Sequence, residues 1–223
     1  MEFQIIYEDR QLIVCQKPAG IPVQSARAGT KDMVSMLKNY RKEHEQMSGE
    51  PYIGVVHRLD QPVQGLLVFA KTKQAAASLS SQVGDGRMKK FYQAVVCTKA
   101  PVREGVLEDY LLKDGRTNTS RIVPEGTKGA KRARLSCRLL EQRGGYALVQ
   151  VELMTGRHHQ IRVQMAGAGM PLTGDRKYNE EEEAPLGTGV ALAACRLVFI
   201  HPSTKKEMDF EIKPQGPAFD NFR

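Results

Sequence analysis

Arg132-Ala133-Arg134-Leu135-Ser136-Cys137-Arg138-Leu139-Leu140-Glu141, a turn at Arg143-Gly144-Gly145, and Tyr146-Ala147-Leu148-Val149-Gln150-Val151-Glu152-Leu153-Met154 read as two strands joined by a hairpin. The glycine pair supplies the positive φ angles that a tight hairpin requires. Working outward, Phe91–Cys97, Gly105–Leu112, Val190–Ile200 and Lys206–Ile212 are further apolar or β-branched runs, and His201-Pro202-Ser203-Thr204 is a second hairpin turn. Phe3–Tyr7 and Leu12–Gln16 form an entrance hairpin across polar Glu8 to Gln11, and Ile53–Val56 and Leu66–Ala70 are two more strands. Helical spacing of Met33, Met36, Leu37 and Tyr40 predicts a helix over Thr30–Gln46, with Thr30 as its cap. Lys73–Val83 is an alanine-rich helix, and a third helix is expected over His158–Ala166. Strands linked by hairpins, with few helices, predict an α+β fold around a mixed, mainly antiparallel sheet with flanking helices.

The chain has 223 residues, enough to bury a real core, and one domain over residues 1–223 is the simpler expectation. Hydrophobic content of 41% with 26% charged residues excludes disordered and membrane compositions. The start, Met1 to Asp9, carries acid early and does not resemble a secretory signal, and no apolar run is long enough to span a membrane. A cytoplasmic protein with no membrane partner is the default expectation. Cys15, Cys97, Cys137 and Cys195 are too scattered for a zinc or redox pair and are expected as reduced, mostly buried thiols.

The net charge is +8, although the acidic block Glu180–Glu183 holds it down. Positive runs at Arg87-Met88-Lys89-Lys90 and Lys128–Arg134, with Lys113, Arg116 and Arg121 just before, favour a polyanion such as nucleic acid. Charge runs are also common on merely solvated faces. The acidic block is expected as a solvated loop away from any RNA path.

Val55-Val56-His57-Arg58-Leu59-Asp60 places an arginine and a carboxylate at the polar end of an apolar strand, where a site is held rigidly yet reaches solvent. An aspartate at a strand end is more often a turn or capping residue. Its company changes the reading. His57-Arg58-Leu59-Asp60 with Gly65-Leu66-Leu67-Val68-Phe69-Ala70-Lys71-Thr72 resembles the signature segment of the RluA family of RNA pseudouridine synthases. Tyr7-Glu8-Asp9 through Val14 with Lys17-Pro18-Ala19-Gly20, then Lys90-Phe91-Tyr92-Gln93-Ala94-Val95-Val96, resemble other segments of that family in the same order. So do Gly156-Arg157-His158-His159-Gln160-Ile161-Arg162-Val163 and Gly169-Met170-Pro171-Leu172-Thr173-Gly174-Asp175-Arg176-Lys177-Tyr178. The resemblance covers nearly the whole chain, without the small RNA-binding domain that many relatives carry before the catalytic one.

That resemblance implies the pseudouridine synthase fold with a catalytic cleft, isomerisation of uridine in structured ribosomal or transfer RNA, and Asp60 as the catalytic residue. The reaction is an isomerisation with no net gain or loss of atoms and no redox change, so neither cofactor nor metal is expected. By the same resemblance Arg58 enters the space left by a flipped nucleotide or meets a neighbouring phosphate, and Tyr92 stacks on the uracil. Arg162 is the cationic partner of the carboxylate, and His159 and Gln160 shape the cleft. A monomer is expected. Val63 and Gln64 replace a threonine-serine pair frequent in the family, His158 stands where threonine is common, and Leu192-Ala193-Ala194 lacks a frequent histidine. These departures bear on which RNA is chosen.

Read without the family, Tyr92 is a core residue of an apolar strand, and Arg162 is a surface arginine or half of a structural ion pair. Adjacent histidines at His158 and His159, with His57 and His201, lack metal-ligand spacing and would point apart on a helix. Two other readings stay in view: a non-catalytic RNA-binding or ribosome-assembly protein of the same fold, and a hydrolase, which needs a second carboxylate or a metal set absent at credible spacing.

Overall fold

The computed structural model describes residues 3–27, 29–46, 48–180, 182 and 189–222. The chain divides into two compact units, Met1–Lys89 with Ala194–Ile212 and Lys90–Ala193 with Lys213–Arg223. Each has its own hydrophobic cluster.

In the first unit, β1 (Gln4–Glu8) and β2 (Leu12–Lys17) form the expected antiparallel entrance hairpin. Asp9 closes its turn by accepting the Gln11 and Leu12 amides at 2.7 and 3.0 Å. β2 also pairs with β4 (Gln64–Ala70), and the short β3 (Gly54–Val55) pairs with β4 in turn. Period-two alternation turns Leu12, Val14, Leu66, Val68 and Ala70 into one cluster with Ala75, Leu79, Leu197 and Phe199. Burying this face out of water is what stabilises the unit, at roughly 1.5–3 kcal/mol for each large apolar side chain.

Two helices belong to this unit, α1 (Met33–His44) and α2 (Lys73–Gly84). The cap of α1 is Asp32, not Thr30: its carboxylate accepts the Ser35 amide at 2.7 Å, and the Ser35 hydroxyl in turn accepts the Asp32 amide. The helix starts late because the Met33 and Val34 amides are already taken by the Pro22 and Val23 carbonyls. Thr72 caps α2 by accepting the Ala75 amide at 3.1 Å.

The second unit is built on β5 (Lys89–Cys97), β6 (Gly105–Asp114), β7 (Thr119–Val123), β8 (Lys131–Arg143) and β9 (Tyr146–Leu153). They lie in the order β5-β9-β8-β6-β7, every neighbouring pair antiparallel. Gly144 and Gly145 have φ of 53° and 83° and close the β8–β9 hairpin opposite the Arg143–Tyr146 pair. β7 is not foreseen in the sequence, because only its Ser120 is buried and no apolar alternation marks it. α3 (Gln160–Gly167) begins two residues later than expected, since His159 adopts a left-handed backbone with φ 53°. A short α4 (Pro217–Asp220), also not foreseen, packs Ala218 and Phe219 against Val95, Ala191 and Ala193.

β10 (Leu192–Ile200) runs from the second unit into the first and pairs with β11 (Glu207–Glu211). The four cysteines are free thiols; Cys15, Cys137 and Cys195 are buried and Cys97 is half-buried. Among the described residues no helix is long and apolar enough to cross a membrane. Of the acidic block, Glu181 and Glu183 lie outside the described residues. Glu180 is exposed, whereas Glu182 departs from the solvated reading: its carboxylate accepts the Gly174 amide at 2.6 Å, the Asn179 amide nitrogen at 3.2 Å and the Thr173 hydroxyl. Three donors in one loop make inward packing more favourable than hydration for this one glutamate.

Candidate active site

Asp60 lies on the connection between β3 and β4, half-buried, with exposed Arg58 and buried Leu59 before it. Leu59 and Val63, 7% and 2% exposed, anchor the loop on both sides of the carboxylate. Between them the Asp60 carbonyl accepts the Val63 amide at 3.0 Å, a turn that confines the Asp60 backbone. His57 is tied down by the Val68 amide, which donates to its Nε2 at 3.2 Å.

The loop is also fastened to the segment after β2. The Gln61 carbonyl accepts the Gly20 amide at 2.9 Å, and the Gln61 side-chain amide donates to the Gly20 carbonyl at 2.9 Å. Lys17 completes the clamp. Its ammonium is fully buried and donates to the carbonyls of Pro18, Ile21 and Gln61 at 2.9, 2.6 and 3.0 Å. Burial lowers the Lys17 pKa to about 8, and the negative charge of Asp60 acts in the opposite sense. Gly65, at φ 129°, lets β4 start against the Ala194 backbone, since a Cβ there would stand 2.4 Å from the Ala194 carbonyl oxygen.

In the second unit, Tyr92 lies on β5 opposite Val151 and is 4% exposed. Arg162, on α3, is equally buried. Its Nε and Nη2 donate to the two carboxylate oxygens of Asp175 at 2.7 and 2.6 Å, and its guanidinium lies 5.1 Å from the Tyr178 ring centroid. Arg162 is therefore no surface arginine; the fork geometry on Asp175 fixes where its charge can be.

Tyr178 joins this cluster to β7. The Ser120 amide donates to the Tyr178 hydroxyl at 2.8 Å, which leaves the hydroxyl proton to be donated to His159 Nδ1, 2.8 Å away. His159 is held neutral: burial, with repulsion from Arg162, His158, Lys177 and Lys113, lowers its pKa to about 3. The His158 ring stacks on His159 at 3.8 Å and bonds Ser120 Oγ and Asn118 Oδ1 at 2.9 and 3.1 Å. The two histidines thus do not point apart as helix neighbours would, because both precede the first helical turn.

Gln160 is buried and engaged inside the unit. Its carbonyl oxygen accepts the Thr155 hydroxyl and the Arg157 amide at 2.8 and 2.9 Å, and its amide donates to the Arg134 carbonyl and Gln164 Oε1 at 3.0 Å each. Lys17, Ser120, Asp175 and Tyr178 received no role from the sequence, although the Lys17-Pro18-Ala19-Gly20 and Gly174-Asp175…Tyr178 spacings mark three of them. Among the described residues no group of three or more His, Cys, Asp or Glu is placed to hold a metal ion.

Residues 11–167 match the family model described as RNA pseudouridylate synthase. Ribosomal large subunit pseudouridine synthase D of Neisseria meningitidis serogroup A is 34% identical, over 95% of this chain and 58% of its own length. The uncharacterized RNA pseudouridine synthase YlyB of Bacillus subtilis is also 34% identical, over 95% of this chain and 69% of its own. The chain thus spans well under two thirds of the Neisseria relative. The solved structure of human RNA pseudouridylate synthase domain containing 4 has the same fold, with a TM-score of 0.80 at 20% identity over 97% of this chain and 92% of that one. The motifs read from the sequence, the fold and the family match over most of the chain converge: this chain belongs to the RNA pseudouridylate synthase family.

Proposed function

We propose that this chain isomerises uridine to pseudouridine in structured ribosomal or transfer RNA, with Asp60 as the catalytic carboxylate and residues 1–223 acting as one catalytic domain. The observation that carries the reading is the clamp on the Asp60 loop. Lys17, Gly20, Gln61 and Val63 immobilise the backbone around one half-buried carboxylate in the segment that carries the family signature.

The reaction asks little else of the protein. The glycosidic bond from ribose C1′ to N1 breaks, the uracil turns, and C5 bonds to the same carbon; the proton displaced from C5 is balanced by one gained at N1. One ionised carboxylate beside the ribose and the base edge serves as nucleophile or base. Arg58 is exposed and, among the described residues, has no hydrogen-bond or ion-pair partner, which suits a side chain that enters the RNA stack. Opening that stack costs about a few kcal/mol. Tyr92 supports the uracil face, Arg162 supplies positive charge from its Asp175 cradle, and His159 contributes a neutral imidazole. Gln160 acts through the turn it braces at Thr155 and Arg157. No cofactor and no metal enter this scheme, and the protein works as a cytoplasmic monomer.

Pseudouridine mapping of RNA from a deletion strain complemented with wild type or with Asp60→Asn tests the reading. Wild type restores a missing pseudouridine and the variant does not. A variant that restored the modification would overturn the catalytic assignment, and full growth rescue by the variant would favour the non-catalytic RNA-binding alternative.

A further inference from the structure

Buried cations are tolerated where something in the protein compensates them. Lys17 has three carbonyls, Arg162 has Asp175, and Arg41 has Glu45 and the Tyr52 carbonyl. Lys90 differs. It is 8% exposed, and among the described residues its ammonium has neither a hydrogen-bond nor an ion-pair partner. Burial alone lowers its pKa, with no carboxylate opposing the shift.

The surroundings of Lys90 show where a compensating group would come from. A Cβ added at Gly156 would stand 3.7 Å from Lys90 Nζ, so the ammonium abuts the one residue type that adds no side chain there. Gly156 is itself exposed, so the backbone beside the ammonium reaches solvent with no side chain of its own between them. Lys90 and Tyr92 are alternate residues of β5 and both are buried, so they share a strand face with their Cα atoms about 7 Å apart along the strand. Within this unit, a cation that has no counterion among the described residues thus stands one strand repeat from the aromatic assigned to the uracil.

We infer that Lys90 is an anion-binding residue whose ammonium takes a non-bridging phosphate oxygen of the RNA strand beside the isomerised nucleotide, across Gly156. The inference rests on the RNA reading above. RNA binding then supplies the counterion that the described residues do not, so the cost of burying the cation is offset in the complex. Phosphate is favoured over a base edge because a compact ammonium binds as a point charge and does not need the planar geometry of a base.

The test measures binding of a uridine-containing stem-loop RNA by wild type, Lys90→Met and Lys90→Arg across a salt series, with pseudouridine formation followed in parallel. Lys90→Met keeps the apolar stem and should be at least as resistant to unfolding as wild type, since it removes a buried charge. Its log–log salt slope should be shallower by about 0.7, one phosphate of a single strand, while Lys90→Arg keeps the wild-type slope. Single methylphosphonate replacements around the target uridine should reveal one position that weakens wild-type binding and leaves Lys90→Met indifferent. An unchanged slope and an unchanged methylphosphonate pattern in Lys90→Met overturn the inference. If wild type forms no pseudouridine but the slope difference persists, the anion site stands and the reaction assignment falls. Should Lys90→Met not fold, the wild-type protein decides: the Lys90 ε-methylene resonance shifts and its pKa rises on adding RNA, and an unmoved resonance overturns the site.

Discussion

Arg162 and Asp175 meet through two parallel bonds of 2.7 and 2.6 Å with both side chains buried, so the charge carried on α3 is oriented by a carboxylate from the segment that follows it. Removing either partner strands the other without solvent. Asp175→Ala should cost about 3–5 kcal/mol in urea unfolding, whereas replacing both residues by apolar ones of similar volume should recover much of that loss. A double-mutant cycle checks this, and purely additive losses would contradict a coupled pair.

Asp60→Asn tests chemistry in place of packing. The substitution keeps the side-chain shape on a half-buried loop, so the unfolding midpoint should stay near wild type. Pseudouridine formation in vitro should fall by at least ~10²-fold.

Lys17→Met should separate positioning from folding. The variant leaves the Pro18 and Ile21 carbonyls without the ammonium, and loss of stability of ~1–3 kcal/mol is expected for each carbonyl left dry. Because the Gln61 carbonyl also loses a donor next to Asp60, turnover should fall more than substrate affinity. Steady-state kinetics would show kcat reduced with KM little changed; the reverse pattern would remove Lys17 from the Asp60 loop's function.

His159 gives the protein an acid sensitivity with a definite sign. Its pKa is about 3 in the folded chain against an ordinary value of 6.5, so the unfolded chain binds the extra proton first. Its contribution to stability is fully present above pH 6.5 and is lost as pH falls from 6.5 towards 3. His159→Gln should flatten that part of the stability–pH curve. Denaturant titrations at a series of pH values check it.

Much of the fold was legible as pattern. Continuous apolar runs in β2 and β4 report strands buried on both faces, alternation in β9 reports one buried face, and Gly144-Gly145 reports a hairpin, because these preferences act over a few residues. The edge strand β7 was silent, since its partners and not its side chains make it a strand. The cap of α1 was misplaced at Thr30 because the true start depends on Pro22 and Val23, which accept the first two amides from a separate segment.

The catalytic candidate follows the same division. Its residue types, order and family were written in the chain at His57-Arg58-Leu59-Asp60 and Gly156 to Arg162, since motif identity is a property of covalent sequence. Which groups hold those residues was decided by folding. Lys17 reaches Gln61 across 44 positions, and the Ser120 amide reaches Tyr178 across 58. Burial then sets the charge on His159 and leaves Lys90 a cation without a counterion among the described residues, because desolvation exists only once distant strands have closed over the side chain.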